Sequence, residues 1–274
     1  MIVVLQWTVS AKPSSNLDYL RQQLIALRDE HVDDPLLVCL PEGFACFDAK
    51  AHDLMAFANN SAPFIDQVCQ LAKQFNVWIS AGTIPIAEGA KYYAASLMIN
   101  QLGEVVARYN KIHLFDVDVD DAKQNYRESN TTIAGKDLVV VDTPFGKIGL
   151  TVCYDMRFPG LFGALRALGA EIILVPSAFT VPTGKAHWLP LLQARAIENQ
   201  VYLVAAATTG THDNGRQTYG HSVIISPWGE IEAMLGDEAN NIVYLPNMDK
   251  LTDVRQKMPL LSHNQFNYEF KHEQ

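Results

Sequence analysis

None of the four cysteines (Cys39, Cys46, Cys69, Cys153) forms a CxxC pair with another, so the chain offers neither a zinc-ribbon ligand set nor a disulfide framework. No two histidines have the spacing of helical metal ligands, and neither a metal nor another cofactor is expected. Basic residues are the minority. The 21 Lys and Arg against 30 Asp and Glu leave a formal net charge of -9, and with no Lys/Arg block a nucleic-acid partner is not expected. No apolar run approaches the roughly 18 residues needed to span a bilayer, so no membrane partner is expected either. The start, Met1-Ile2-Val3-Val4-Leu5, has no charged leader or small-residue cleavage site and reads as a first strand. Reduced thiols in a cytoplasmic protein are the simplest account. An acidic balance still permits an anionic small-molecule substrate, because a local cationic pocket can sit within it.

What is present is a core-forming chain: 49% of residues are hydrophobic and 19% charged, which excludes disorder. Strand-like runs alternate with helical patterns. Strands are expected at Ile2 to Gln6, Leu36 to Leu40, Val77 to Ser80, Ala94 to Ile99, Val105 to Tyr109, Leu138 to Val141, Ile148 to Val152, Ile172 to Val175, Val201 to Ala207 and Ser222 to Ile225. Helices fit at Leu17 to Leu27, Ile65 to Phe75, Leu161 to Leu168 and Trp188 to Asn199. The alternation argues for an α/β protein with antiparallel additions. No repeat and no linker divides it, so residues 1–274 are read as a single domain. The polar stretch 116–130 reads as a long functional or mobile loop.

Three ionisable groups follow strand exits, where open α/β sheets gather their sites. Cys153 ends the run Ile148 to Val152 and precedes Pro159-Gly160, so its sulfur stands on rigid backbone near amide N–H groups. Glu42 follows Leu36 to Leu40 through Pro41, and Lys111 follows Val105 to Tyr109. Singly, each has a bland reading as core thiol, solvated turn acid or surface charge. Together they supply a nucleophile, a base and a cation.

The chain resembles the carbon–nitrogen hydrolase (nitrilase) superfamily, through LPEGF around Glu42, RYNKIHLFD around Lys111 and GLTVCYDMRFP around Cys153. The likeness continues through His187 to Ala206 and Tyr219 to Glu230. It implies a four-layer αββα sandwich that pairs into a homodimer or higher homo-oligomer, and a Glu-Lys-Cys triad. Cys153 would attack an amide carbon and form a thioester, with ammonia leaving. Glu42 would act as base and acid. Lys111 and the backbone N–H of Tyr154 would hold the oxyanion. Lysine favours the thiolate and burial opposes it, which leaves the state of the sulfur open. Glu128 matches the family's second glutamate, whose role is to position Lys111 and the amide.

The wording is most similar to the deaminated glutathione amidase branch, whose substrate is an α-keto amide with a Cys-Gly tail. The alternative is an ω-amidase acting on α-ketoglutaramate-type monoamides. A catalytically weak binding or regulatory homologue is the reading from another class. Either substrate carries carboxylate. Arg157 is the first candidate to grip it, unless it braces the site by pairing with Asp155 or Glu198. Arg216 is the candidate for a distal carboxylate, and Phe179 and Thr180 for pocket walls. His113 and His187 read as packing residues, and Cys46 as a small packing residue near the pocket.

Overall fold

Val3 and Leu5 of the fully buried strand Ile2–Gln6 join one apolar cluster, while Ile2 and Val4 join another. That alternation defines the layers, because successive strand side chains face opposite ways. The first cluster gathers Val38, Ile79 and Leu97 of neighbouring strands. Over them lie Leu17, Leu20, Leu24 and Leu27 of the helix Pro13–Glu30 and Phe64, Val68 and Leu71 of the helix Ala62–Gln74. The second cluster joins Ile2, Val4, Leu37, Met98 and Tyr109 to Ile148, Leu150 and Leu174 of a separate sheet. On that sheet's far side Gly149 leaves the space filled by Leu165 and Ile173, and Leu161, Phe162, Trp188, Leu192 and Ala196 of the helices Pro159–Ala167 and Val181–Asn199 complete the packing. Helix, sheet, sheet, helix is the expected αββα sandwich. The computed structural model describes residues 1–119 and 125–266.

The first sheet has 7 strands. Its order is Asn240–Tyr244, Ile2–Gln6, Leu37–Cys39, Trp78–Ser80, Lys91–Ile99, Ile84–Glu88, with Val105–Asn110 also pairing with Lys91–Ile99. The second has 6, in the order Ile231–Met234, Val223–Ile225, Tyr202–Ala205, Ile172–Leu174, Gly146–Leu150, Val140–Thr143. Leu37–Cys39 runs parallel to Trp78–Ser80, which is antiparallel to Lys91–Ile99, itself antiparallel to Val105–Asn110. The exits of Leu37–Cys39 and Val105–Asn110 therefore point to one end of the sheet. In the second sheet Gly146–Leu150, Ile172–Leu174 and Tyr202–Ala205 are mutually parallel and share an end likewise.

The structure corrects the reading of 116–130 as a loop. Asp116–Asp118 pairs with Asn125–Arg127 as an antiparallel ribbon, and Glu128–Asn130 forms a 3-10 turn. Residues 120–124 of that stretch lie outside the described residues. Helix Val181–Asn199 starts well before the expected Trp188, with Pro182 in its first turn, where a missing N–H costs nothing. Among the described residues no helix is long and apolar enough to cross a membrane.

Candidate active site

Cys153 breaks the line of its strand. Its φ of +45° lies in the left-handed region, a sparsely populated conformation for a side chain with a Cβ that persists only where its surroundings enforce it. Cys153 N donates to Pro176 O at 2.9 Å, and Thr151 Oγ1 donates to Leu174 O at 2.8 Å, tying the turn to the neighbouring strand exit. The Asp155 carboxylate accepts from Val152 N at 2.8 Å, immediately before the cysteine. A 3-10 turn, Cys153–Arg157, then leads into the helix Pro159–Ala167.

Lys111 is 2% exposed. Its backbone is pinned by Lys111 N donating to Ala94 O at 3.0 Å and Gly135 N donating to Lys111 O at 2.8 Å. Its Nζ donates to Glu42 Oε1 at 2.8 Å and to Glu128 Oε2 and Oε1 at 2.9 and 3.1 Å. Glu42 reaches the lysine from a turn held by Gly43 N donating to Thr83 Oγ1 at 2.8 Å. At Gly82 (φ +47°) a Cβ would stand 1.9 Å from Pro41 O, so only glycine permits the two strand exits to approach this closely. Glu128 is fixed from behind by Phe115 N, which donates to Oε2 at 2.7 Å.

Burial is the largest influence on the Cys153 thiol and pushes it well above the ordinary cysteine range; the Glu42 charge adds to this, while Lys111 and the Ala178 backbone amide pull the other way. Burial prevails, so the sulfur holds its proton more tightly than an exposed cysteine does. Burial alone would depress Lys111, but Glu128, Glu42 and the cysteine hold it well above the usual lysine value. Burial raises Glu128, against the pull of Lys111.

All nine residues singled out from the sequence line one cavity of about 330 Å³: Glu42, Lys111, Glu128, Cys153, Tyr154, Arg157, Phe179, Thr180 and Arg216. Arg157 pairs with neither Asp155 nor Glu198. Its Nη1 lies 3.2 Å from His187 Nδ1 and its guanidinium over Tyr154 and Phe179, whereas Arg195 takes Glu198 and His113 takes Asp155. Arg216 lies between Phe47 and Tyr126, its guanidinium 4.8 and 5.0 Å from the ring centroids. Cys46 is buried and lines the cavity, its thiol raised by burial to about 12.

Sequence reasoning missed several contributors. The Ala178 amide that hydrogen-bonds toward the sulfur is backbone, which leaves no trace in residue type. Phe47 and Tyr126 signalled only as apolar residues. Asp155 was visible as the second residue past the cysteine, but its partners Tyr109 and His113 are not sequence neighbours.

A carbon-nitrogen hydrolase family profile matches residues 14–252. Deaminated glutathione amidase of Yersinia enterocolitica is 41% identical over 269 residues, 97% of this chain and 93% of that protein. Among solved structures, Saccharomyces cerevisiae Nit3, a member of branch 10 of the nitrilase superfamily, is similar with a TM-score of 0.84 and 29% identity, over 97% of this chain and 96% of that one. A glutamate-to-glutamine variant of the amidase from Nesterenkonia sp. AN1 has a TM-score of 0.79 and 25% identity over 94% of this chain and 97% of that one. Its structure shows Michael addition of acrylamide at the active site cysteine.

Proposed function

The chain belongs to the carbon-nitrogen hydrolase family, and from that membership we propose that it is an amidase using Cys153 as nucleophile, Glu42 as base and Lys111 as oxyanion partner, on a small carboxylate-bearing amide. The observation that carries this reading is the place of the Glu42 carboxylate, on the same cavity as the Cys153 thiol and 2.8 Å from the Lys111 ammonium. Burial raises the thiol, and this reading therefore gives Glu42 the removal of its proton in the same step as attack. Glu42 takes the thiol proton as the sulfur adds to the amide carbon. The oxygen that becomes negative meets Lys111 and the Tyr154 N–H, with Glu128 holding the lysine in place. Losing one such donor costs about 10²–10³ in turnover. Glu42 then passes its proton to the departing nitrogen, leaving a thioester. Water, deprotonated by Glu42, cleaves the thioester, and the proton returns to sulfur.

The departing group depends on the amide: ammonia from a primary amide, an amine from an N-substituted one. Deaminated glutathione is the substrate this reading favours. Its support is the likeness to the Yersinia protein and the two arginines, Arg157 and Arg216, on one cavity. In it Arg157, in the nucleophile's own turn, takes the acyl-side carboxylate, while Phe179 and Thr180 wall that end. An ω-amidase would prefer α-ketoglutaramate, and a rate comparison of the two amides separates them. Cys153→Ala should abolish hydrolysis of both, and Cys153→Ser should reduce it by several orders of magnitude; retained turnover in the alanine variant would sink the proposal.

The same reading takes 1–274 as one carbon–nitrogen hydrolase domain, acting in the cytoplasm as a homodimer. The core shared by both sheets supports the first and four free thiols the second. Exposed Ile197 and Trp228, brought together where Gly229 lies against Ile197, support the third. Sedimentation velocity at micromolar concentration should find the dimer; a monomer throughout would refute that part.

A further inference from the structure

Thr83 is a polar side chain buried in the wall of the cavity, 4% exposed, and it lies outside the motifs that carry Glu42, Lys111 and Cys153. It stands between the strands Trp78–Ser80 and Ile84–Glu88, one residue past Gly82. Its Oγ1 accepts from Gly43 N at 2.8 Å, and its carbonyl accepts from Ala45 N at 3.4 Å. Thr83 therefore meets the chain just past Glu42 twice, once through its side chain and once through its backbone. The hydroxyl makes no other hydrogen bond among the described residues, so the side chain is used through its acceptor oxygen.

A base in this position needs such a hold. The Glu42 carboxylate is 2.8 Å from Lys111 Nζ, whose ammonium also meets both oxygens of Glu128. Attraction between opposite charges is strong where water is scarce, and it draws Glu42 towards the lysine. Proton transfer requires the same carboxylate to stay within hydrogen-bond reach of the reacting sulfur and nitrogen. A glutamate side chain has several rotamers, so the place of its Cα decides which of them reach. That Cα precedes Gly43, whose φ is +74°. Glycine permits this turn but does not fix it, because it adopts positive and negative φ about equally readily. The hydrogen bond from Gly43 N to Thr83 supplies the constraint that glycine lacks.

We infer that Thr83 is a positioning residue for the general base: it holds the turn that carries Glu42, through Gly43, while Lys111 holds the carboxylate. The inference rests on the amidase reading above and adds a residue outside the triad on which turnover depends. Without the Thr83 acceptor the Gly43 N–H bond is unmade, the turn is free to shift, and the carboxylate follows the lysine away from the reacting atoms.

The test is steady-state kinetics of the purified protein on deaminated glutathione and α-ketoglutaramate, for wild type, Thr83→Val, Thr83→Ser and Thr83→Ala. Valine keeps the shape and removes the acceptor, whereas serine keeps the acceptor and removes a methyl group. In Thr83→Val kcat should fall about 10- to 100-fold, the cost of a small misplacement of a reacting group, with KM within about threefold of wild type. Thr83→Ser should keep kcat within about threefold of wild type, because the bond to Gly43 survives. A valine variant with wild-type kcat, a loss confined to KM, or a serine variant as slow as the valine one overturns the positioning role and leaves the amidase reading in place. A wild type that hydrolyses neither amide overturns that reading and the inference with it. Should the valine variant not fold, Thr83→Ala against Thr83→Ser decides the same point, since the two differ by the hydroxyl alone: a slow alanine variant beside a fast serine one is expected, and equal rates overturn the inference.

Discussion

The Asp155 side chain is fully buried and accepts from four donors: Tyr109 Oη at 2.7 Å and Val152 N at 2.8 Å on Oδ2, with His113 N at 3.0 Å and His113 Nδ1 at 2.7 Å on Oδ1. Its partners flank Lys111 on one side and precede Cys153 on the other. One carboxylate therefore braces the lysine's strand exit against the nucleophile's turn, and stacking of His113 on Phe158 at 3.7 Å closes the brace. Asp155→Asn would place an NH₂ against donors and leave one end of the network unmade, costing about 1–3 kcal/mol of stability. Because a small misplacement of reacting groups costs on the order of 10²-fold in rate, kcat should fall by about that factor with KM little changed. Kinetics well below the variant's Tm check this; a loss confined to KM would remove Asp155 from the positioning role. The triad candidates were legible because their types and order sit at strand exits. The partners of Asp155 and the Ala178 amide were not. A hydrogen-bond network across 42 to 46 residues of chain has no local pattern, and an amide N–H is common to nearly every residue.

Elements show the same division. Long periodic segments such as Pro13–Glu30 and Ala62–Gln74 are close to the expected spans, since an apolar stripe at helical spacing reports directly on burial. The pieces that finish the cavity are short and polar. Thr209–Thr211 and Gln217–Tyr219 have three residues each, too few for alternation to register. Helix Val181–Asn199 hides its first turns behind Pro182 and Gly184, where a Cβ would fall 2.2 Å from the Tyr219 ring. Close approach of this kind is also what sets Glu42. Gly82→Ala would force a Cβ to 1.9 Å from Pro41 O at φ +47°, so the strand exit bearing Glu42 must move. The substitution should destabilise the fold by about 2–4 kcal/mol and depress kcat in whatever folds. Urea unfolding together with amide turnover checks both, and a variant with wild-type midpoint and rate would show that the exits have slack.

For the molecule as a whole, the site is not separable from the core: Cys153 belongs to the same apolar cluster that joins the two sheets. Burial and the Glu42 charge hold its thiol well above the value of 9.0 that it has when exposed. A group whose folded pKa is raised binds its proton more tightly in the native state. Its contribution is fully present below the unfolded pKa and is lost as pH rises towards the folded one, because the unfolded chain gains by ionising. Lys111, also raised, behaves the same way from 10.5 upward. Wild type should therefore lose stability on the alkaline side, and Cys153→Ala should lose less, since it removes the first of these groups. With an unfolded value of 9.0, linkage sets the relative gain of the alanine variant at about 1.4 kcal/mol between roughly pH 8 and pH 10. Between roughly pH 6 and pH 8 the gap between the two proteins should stay constant. Urea unfolding followed by tryptophan fluorescence, at one protein concentration so that self-association enters equally, measures that gap. Profiles that remain parallel to pH 10 would show that burial does not raise the thiol. A gap that widens in favour of wild type between roughly pH 6 and pH 8 would show a resting thiolate and leave the concerted removal of its proton by Glu42 no place in the mechanism.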